Sequence, residues 1–599
     1  MNRRAFLRGT TAASLLPLKS LSLFAGPQTH RVRPSEPDWP SKDAWKRLND
    51  AVDGNLIPAD FPINACLSSP DGADCLAFLA NVKNPYYIGD TPGLTQTLGW
   101  VDAWTTKPSV YAVAARNAGH IAAAVNFARE NNLRLVVKGG GHSYQGTSNA
   151  PDSLLIWTRH MHDTAITPDF VPHGCRANHT PQRAVTVGSG TIWLQAYDAV
   201  TTKAGAYVQG GGCTTVGVAG LIQSGGFGSF SKHFGMAAAG LLEAEVVTAD
   251  GKARIANACT NPDLFWALKG GGGGTFGVVS KLTLRVHDLP ELAGGANFTV
   301  KASSSDAYRR LIRYFVGFYR EALFNDHWGE EAHFSSDNRL RIGMVHVGLD
   351  TGQSIKVWQP FFDWLAQSSA DYTIESKPVI GSMPFQHWWD VDWRRENHHD
   401  VFKADSRSGA NPGNVWWNGD SGQVGWVVWG FESLWLPASL LDDDSQQKLA
   451  DALFAASRIS GVELHFNKGL AGAPSEAIEA AKDTAMNPAV CGAFALAIIA
   501  AGQGPAYPGI SGHEPLVAFG RNAANAVHRS MAELRAVAGN GGVYVSESNY
   551  FESDFQHSYW GNNCSRLAEI KNKYDREGLF FVHNGIGSEQ WARDGFTKL

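Results

Sequence analysis

Four glycine clusters restrict the fold of this chain more than any other feature does. They lie at residues 139–141, 210–212, 225–226 and 270–274. Glycine adopts positive φ angles and lets the backbone approach a ligand closely. Successive free N–H groups in such loops form concavities that bind anionic oxygens. One cluster is usually a tight turn, but four of them favour several loops around a long ligand that carries a pyrophosphate.

The first cluster ends the β-rich run "LRLVVK" and leads directly into His142. A metal site is one interpretation, but no second His or acidic residue follows at ligand spacing. A phosphate-binding loop is the second interpretation. The third is covalent, since a histidine at the end of a rigid turn is well placed to bond to a cofactor. His142 alone leaves these alternatives open.

The second cluster repeats this arrangement in "QGGGCTTVGVAG", where three glycines lead directly into Cys213. A buried structural cysteine is the ordinary interpretation of such a residue. Two copies of one pattern, each ending in a nucleophilic side chain, favour attachment of a cofactor instead. The chain contains neither the G-x-x-x-x-G-K-[ST] motif of nucleotide hydrolases nor a dinucleotide-binding G-x-G-x-x-G after a strand.

Length and charge limit the other possibilities. The chain has 599 residues, 44% of them hydrophobic, which predicts two substantial domains. Its net charge of −5, with mixed signs along the chain, is unlike the basic footprint of a nucleic-acid-binding protein.

No transmembrane segment is predicted. The ten-residue run "AFALAIIAAG" from Ala493 is too short to span a bilayer and is interpreted as a buried helix.

The N-terminus "MNRRAFLRG" has adjacent arginines followed by a weak apolar run, the pattern of a twin-arginine export signal over residues 1–30. This predicts transport by the twin-arginine machinery and a periplasmic or secreted protein. Exported proteins can hold disulfides. Among the seven cysteines, Cys66 and Cys75 form the obvious local pair, and the odd count leaves at least one cysteine for another role.

Local patterns divide the remaining chain into four parts. Residues 31–105 form an N-terminal arm, and residues 106–289 alternate between strands and helices, with "AGHIAAAVNFARENN" as a helix that ends at Asn-Asn. Residues 290–540 combine amphipathic helices with alternating strands such as "LRIGMVHVGL", which predicts a cavity-building domain. Residues 541–599 regain strand-turn-helix character.

Three motifs carry a family resemblance: "NLRLVVKGGGHSYQG", "GGCTTVGVAG" and "YWGNNCSRLAEIKNKYDREGLFF". The segment from Lys107 to His287 resembles the FAD-binding domain of the vanillyl-alcohol-oxidase and p-cresol-methylhydroxylase (PCMH) superfamily. The chain as a whole is similar to its berberine-bridge-enzyme-like branch, and especially to a secreted subgroup that includes an isoamyl-alcohol-oxidase-like protein. The resemblance implies an α+β fold: a PCMH-type FAD-binding domain of two subdomains, and a substrate domain with an antiparallel sheet backed by helices. Residues 541–599 would return to the FAD domain.

The resemblance implies FAD bound twice, through the ring of His142 to the 8α methyl and through the sulfur of Cys213 to C6. Two bonds would raise the redox potential of the flavin and favour hydride acceptance from an alcohol. The remaining expected cofactor contacts are Lys138, Gly139, Gly140, Gly141, Ser143, Gly212, Thr214, Val216, Gly217, Gly220, Gly226, Val279 and Asn584. Two positions depart from the branch: Leu221 is apolar where a polar residue is common, and Asn584 replaces a glutamine. No metal is expected.

Oxidation of a CH–OH group also needs a base for the hydroxyl proton. The segment "YVSESNYFESD" provides the candidates Tyr550 and, as second choice, Glu547, while Tyr144 is expected to line the same pocket. A core or cavity-wall aromatic is the competing interpretation of Tyr550. By the resemblance, Val216 occupies a position where valine accompanies reactivity with O2.

The predicted activity is therefore that of an FAD-dependent oxidase, acting on a small alcohol, sugar or phenol and reducing O2 to H2O2. Two alternatives remain open. A flavin dehydrogenase would pass the electrons to a quinone or cytochrome instead of O2. A protein that only binds the flavin would show no redox turnover.

Overall fold

A computed structural model describes residues 30–175, 180–398 and 400–599 of the chain. The predicted export signal therefore lies almost wholly outside the described residues. The N-terminal arm contains four helices and three strands: α1 Lys42–Ala51, β1 Leu56–Pro58, α2 Ile63–Ser68, α3 Ala73–Asn81, α4 Pro85–Asp90, β2 Thr97–Trp100 and β3 Trp104–Thr105. A disulfide joins Cys66 to Cys75 between α2 and α3, which confirms the predicted pair.

The first subdomain of the predicted FAD-binding region comprises β4 Tyr111–Ala114, α5 Ala118–Glu130, β5 Arg134–Lys138 and β6 Ser153–Trp157. The side chain of Asn117 caps α5 by accepting a hydrogen bond from the His120 backbone, and the helix ends at the predicted Asn-Asn. The sheet order is β1-β4-β6-β5, and β4, β6 and β5 run parallel. The first glycine cluster and His142 therefore leave the sheet at the carboxyl end of β5.

The second subdomain comprises β7 Thr164–Phe170, β8 Gln182–Gly188, α6 Trp193–Tyr197, β9 Ala206–Val208, α7 Val218–Gln223, α8 Ser231–Phe234, β10 Leu241–Val247, β11 Ala253–Asn257, α9 Pro262–Leu268 and β12 Val278–Asp288. Its antiparallel sheet has the order β11-β10-β12-β8-β7, with β9 paired to β12. Strands β10 and β11 form an antiparallel hairpin across Asp250-Gly251. A disulfide between Cys175 and Cys259 was not foreseen.

The predicted substrate domain comprises β13 Leu292–Ala302, α10 Ser305–Phe318, β14 Trp328–Phe334, β15 Arg339–Val347, α11 Thr351–Gln367, β16 Tyr372–Ile374, β17 Val379–Pro384, α12 Val391–Asn397, β18 Phe402–Ala404, β19 Val415–Trp417, β20 Trp426–Pro437, α13 Gln446–Ile459, β21 Val462–His465, α14 Ser475–Lys482, α15 Ala489–Gly492, β22 Ala493–Gln503 and α16 Val517–Ala538. Its large sheet runs β16-β13-β15-β14-β21-β22-β20-β2-β3. The arm therefore adds two strands to this sheet, and β2 pairs in parallel with β20.

The helix predicted from Ala493 is wrong, because this run forms strand β22 between β20 and β21. Its first seven residues are all buried. A strand with both faces covered shows no alternation of polar and apolar residues, and periodicity then cannot distinguish it from a buried helix. Helix α16 packs on this part of the sheet.

The C-terminal part contains α17 Phe555–Trp560 and α18 Cys564–Tyr574. Phe580 forms a bridge to Leu135 of β5, so the chain returns to the first subdomain. The buried ammonium of Lys571 fixes this return by donating to the carbonyls of Thr275 and Phe580 and to Asp575. Within the described residues, no helix combines the length and apolarity needed to cross a bilayer.

Candidate active site

A cavity of about 870 Å³ lies where the two FAD-binding subdomains, the C-terminal segment and the substrate sheet meet. Three of the four glycine regions contribute to its wall, through residues 139–141, 211–212 and 272–274. A volume of this size matches the pockets that bury a large part of a small-molecule ligand. The cavity therefore unites loops that are far apart in the sequence.

The loop after β5 supplies backbone donors to this cavity. Gly141 has a φ of +76°, the left-handed region that favours glycine. No acceptor within the described part of the chain pairs with the backbone N–H groups of Gly140, Gly141 and His142. Burial lowers the pKa of His142 to about 4, so its imidazole is neutral and nucleophilic near pH 7.

The loop after β9 carries Cys213 to the same cavity. The hydroxyl of Thr215 lies 3.3 Å from Nε2 of His142, which places the two loops side by side. The thiol of Cys213 donates to Oδ1 of Asp420 over 3.4 Å. Burial raises the pKa of this thiol well above its usual value, and the charge of Asp420 adds to the effect. The cysteine is therefore present as a thiol.

Several buried polar atoms of the cavity wall have no hydrogen-bond partner within the described residues. There are six such side-chain atoms: Gln145 Oε1, Ser189 Oγ, Gln223 Oε1, Thr275 Oγ1, Asp420 Oδ2 and Asn467 Oδ1. A buried polar group without a hydrogen bond costs roughly 1–3 kcal/mol. A ligand rich in hydrogen-bonding groups satisfies such atoms. Together with the free N–H groups after β5, they fit a flavin nucleotide with its pyrophosphate.

The opposite wall is formed by the substrate sheet and carries charge. Glu331 of β14 faces His465 of β21 in the strand register, and Glu463 lies two residues before His465 on the same face. Burial alone would raise the pKa of Glu463, but the hydrogen bond from His465 and the charges of His465, His333 and Arg341 lower it to about 2.

These three side chains are close enough to one another to hold a metal ion. Arg341, however, donates to Glu331 over 2.8 Å. Each acid of this group thus has a cationic or hydrogen-bonding partner within the protein.

Two further polar pairs line the cavity. The ammonium of Lys468 contacts both carboxylate oxygens of Glu547 at 2.7 Å. The hydroxyl of Tyr144 donates to Oε1 of Gln423 over 2.6 Å, and burial raises the pKa of Tyr144 well above its usual value. Glu547 and Tyr144 thus lie in the predicted pocket, although the phenol of Tyr144 stays protonated.

The structure does not place Tyr550, the predicted catalytic base, on the cavity wall; its ring stacks on His583 with 3.8 Å between ring centroids. Its carbonyl accepts hydrogen bonds from His583 and from Asn584. Tyr550 therefore positions the C-terminal loop, and the competing interpretation as a packed aromatic is the better one.

Three expected cofactor contacts also need correction. The ammonium of Lys138 donates to the carbonyls of Thr91, Pro92 and Leu94, which uses all three of its donors. Thr214 is fully buried and directs its hydroxyl to the carbonyl of Val415, so Thr215 takes its place on the cavity wall. Gly226 lies in a turn outside the wall, where its carbonyl accepts from the backbone of Ala237.

The other expected contacts do line the cavity: His142, Cys213, Gly139, Gly140, Gly141, Ser143, Gly212, Val216, Gly217, Gly220, Val279 and Asn584. Leu221, the apolar departure from the branch, lines it too. Sequence reasoning missed Asp420, Glu330, Lys468 and the Glu331–Glu463–His465 group. Strand register and domain packing bring these residues to the cavity. No local sequence motif indicates them.

Comparison with known proteins agrees with this geometry. Residues 109–257 match the family described as "FAD binding domain", and residues 543–587 match "Berberine and berberine like". The chain is 30% identical to the FAD-linked oxidoreductase easE of Arthroderma otae, over 97% of this chain and 93% of that protein. It is 28% identical to the VAO-type flavoprotein oxidase VAO615 of Thermothelomyces thermophilus, over 95% of both chains.

Solved structures share the fold. The crystal structure of the VAO-type flavoprotein MtVAO615 from Myceliophthora thermophila superposes with a TM-score of 0.76 at 25% identity, over 95% of this chain and 100% of that one. Chitooligosaccharide oxidase superposes with a TM-score of 0.61 at 17% identity, over 88% and 99% of the two chains.

Proposed function

This chain belongs to the berberine-like family of FAD-linked oxidoreductases, and from that premise we propose that it oxidises a CH–OH group of an alcohol or carbohydrate and reduces O2 to H2O2. The observation that carries the proposal is the single cavity lined by both His142 and Cys213 on one side and by a polar, charged sheet on the other. FAD bound there supplies the acceptor for hydride. The residues of this chain hold the cofactor, orient the hydroxyl group and take up its proton.

We further propose that FAD is bonded to both His142 and Cys213. The neutral imidazole of His142 and the thiol of Cys213 support this, because both side chains line one cavity beside the free N–H groups of the glycine loop. The test is acid denaturation of the purified protein. Flavin should stay with the wild-type chain and with each single variant, His142→Ala or Cys213→Ala, and come free only from the double variant. Release from the wild type would overturn the proposal.

The charged and polar side chains of the cavity wall support a substrate that carries hydroxyl groups. Chitooligosaccharide oxidase and the carbohydrate oxidase of Microdochium nivale, which share the fold, are named for saccharide substrates. The test is an anaerobic screen of alcohols, sugars and phenols for bleaching of the flavin absorbance. Bleaching by at least one hydroxyl donor is expected. A protein that only binds flavin would give none, and that result would overturn the proposed function.

The choice of O2 as acceptor is supported by Val216, which lines the cavity three residues after Cys213. We expect peroxide close to one equivalent per substrate oxidised. Val216→Leu should slow reoxidation of the reduced flavin by O2 and leave its anaerobic reduction little changed. Turnover that requires a quinone or cytochrome c, with no peroxide, would favour the dehydrogenase alternative.

We also propose export through the twin-arginine pathway, on the basis of Arg3 and Arg4 alone. In a bacterial host with this pathway, the wild-type chain should accumulate outside the cytoplasm. The variant with Arg3→Lys and Arg4→Lys should stay inside. Equal distribution of both proteins between the fractions would overturn the proposal.

A further inference from the structure

One segment of the substrate domain reaches over to both loops that carry the proposed flavin attachments. It runs from β19 through the turn that follows, residues 415–423. The indole of Trp417 donates to the carbonyl of Gly212 over 3.0 Å, and Gln423 accepts from Tyr144 over 2.6 Å. Thr214 contacts the carbonyl of Val415. These contacts fix the segment at three points, and Asp420 lies between them.

Asp420 combines three properties within this segment. It lines the cavity, and its Oδ1 accepts from the thiol of Cys213 over 3.4 Å. Its Oδ2 is buried and has no partner among the described residues. One carboxylate oxygen is therefore held in place, while the second is available to a group brought by a ligand.

If FAD is bonded through Cys213 as proposed, Asp420 would lie near the reacting centre. In the isoalloxazine ring, C6 is bonded to the same ring carbon as N5, the atom that accepts hydride. A sulfur bonded at C6 would thus be a close neighbour of N5. A carboxylate next to the sulfur of Cys213 would then lie beside the substrate carbon, which must approach N5.

The other acids of the cavity bind partners within the protein, and its phenols are protonated. Glu547 binds Lys468 with both oxygens, and Glu331 accepts from Arg341. Glu463 is paired with His465, and the phenols of Tyr144 and Tyr544 are protonated near neutral pH because burial raises their pKa values. Glu330 accepts from the hydroxyl of Ser229. Among these carboxylates, Asp420 alone has an oxygen that is both buried and without a hydrogen-bond partner in the described residues.

We propose that Asp420 is the catalytic base that takes the hydroxyl proton of the substrate; this role rests on the proposed oxidation of a CH–OH group. The C–H hydrogen leaves as hydride with two electrons, which oxidised flavin accepts. The O–H proton goes to the carboxylate of Asp420, the carbon–oxygen bond becomes a carbonyl, and the proton then passes to solvent. The two electrons reach O2, which takes two protons to give H2O2. The balance needs no further reactant.

Burial raises the pKa of Asp420 to about 6, and the charge of Glu330 adds to the effect. A general base works best when its pKa is near the working pH. The titratable groups that face Asp420 and its thiol partner are Cys213, Tyr144, Glu330 and Lys468. The ammonium of Lys468 is paired with Glu547, and no cation forms an ion pair with Asp420 in the described part of the chain.

The first test uses the substrate-free holoenzyme and needs no turnover. Its visible flavin spectrum is recorded between about pH 4.5 and pH 8. A transition with a midpoint near pH 6 is expected, because ionisation of Asp420 changes the field at the flavin. Asp420→Asn should remove this transition, whereas Asp392→Asn, which changes an exposed aspartate of α12, should retain it. A transition that persists in Asp420→Asn and disappears in Glu330→Gln would assign the base to Glu330 and overturn the proposal.

The second test separates proton transfer from attachment of the flavin. Asp420→Asn is compared with its parent in a Cys213→Ala background, where no cysteinyl bond can form and intact mass confirms the histidyl bond in both. Anaerobic flavin reduction should be roughly 10²–10⁴-fold slower in Asp420→Asn. The parent rate should rise as the pH increases through about 6, because the ionised carboxylate is the active form. Asp420→Glu should recover part of the rate, since it restores a carboxylate.

The outcomes are distinguishable. Equal reduction rates in Asp420→Asn and its parent would overturn the role of Asp420 and leave the proposed function intact. A parent whose flavin no hydroxyl donor reduces would overturn both. Rates that differ only in the presence of Cys213, and not in the Cys213→Ala background, would assign Asp420 to the attachment step and overturn its role as base.

Discussion

Gly140 and Gly217 lie against each other where the loops of His142 and Cys213 meet. A Cβ added to Gly140 would lie 2.7 Å from the backbone N of Gly217, and a Cβ on Gly217 would lie 2.9 Å from the N of Gly140. Both distances are too short for any real side chain against backbone atoms. This contact, which needs glycine on both sides, fixes the separation of the two proposed attachment points.

Gly140→Ala should therefore force the two loops apart. We expect the flavin-to-protein absorbance ratio to fall below about half of the wild-type value, together with a loss of roughly 1–3 kcal/mol in unfolding free energy from overpacking. Gly240→Ala is the matched control, because its Cβ would meet no atom within 4 Å. Full flavin content in purified Gly140→Ala would show that the close approach is not required.

Removing only one partner of the Lys468–Glu547 pair should lower the unfolding free energy, because the other partner keeps its charge in a mostly buried place. The side chains of Lys468 and Glu547 are only 13% and 19% exposed. Removal of one partner from a buried pair costs roughly 3–5 kcal/mol of unfolding free energy. The cost should be smaller here, because both side chains are partly exposed to solvent. Lys468→Met and Glu547→Gln should each lower the unfolding free energy by about 1–3 kcal/mol. The double variant should lose less than the sum, and urea unfolding of all four proteins measures this coupling. Strictly additive losses would mean that the pair contributes no specific interaction.

The sequence predicted the part of the site that local chemistry determines. A glycine loop directly before His142 or Cys213 needs no distant partner to be recognised, and both residues do line the cavity. Asp420 could not be found this way, since it reaches Cys213 only after two domains pack together. The place of Tyr550 outside the cavity wall was not predictable either. Its ring stacks on His583, and sequence spacing does not determine a side-chain direction.

The fold likewise contains some features that local sequence predicts and others that depend on distant parts of the chain. Helix α5 was predictable because Asn117 and the terminal asparagines mark its ends locally. The placement of β2 beside β20 depends on a parallel pairing across more than half of the chain. The disulfide between Cys175 and Cys259 was likewise not predictable, because the two residues are 84 positions apart in the sequence.

That separation also predicts how much the two disulfides contribute. In the chain-entropy treatment, stabilisation increases with the length of the closed loop, to about 4–5 kcal/mol for a loop like that of Cys175–Cys259 and about 2–3 kcal/mol for one like that of Cys66–Cys75. Replacing Cys175 and Cys259 by serine should therefore lower the unfolding free energy more than replacing Cys66 and Cys75. Chemical denaturation without reductant gives the comparison. The reverse order would show that strain or residual structure outweighs chain entropy.

Buried histidines should make the protein sensitive to acid. His346 is fully buried, its Nε2 lies 2.7 Å from the hydroxyl of Ser354, and burial lowers its pKa to about 4. An unfolded histidine takes up a proton below about pH 6.5. Between about pH 6.5 and pH 4 the unfolded chain thus binds more protons than the folded one. Each such histidine then makes the unfolding free energy fall by up to about 1.4 kcal/mol per pH unit as the pH decreases.

His346→Gln should flatten this dependence. We expect a variant that is less stable at pH 7, because packing around the ring is lost, but whose unfolding free energy falls less steeply between about pH 6 and pH 4.5. The difference in slope should approach about 1 kcal/mol per pH unit, the share of one histidine. Urea unfolding followed by tryptophan fluorescence at several pH values measures it. His557→Gln, at an exposed position of α17, should keep the wild-type slope. Equal slopes for His346→Gln and the wild type would mean that His346 is already protonated in the folded protein at pH 6.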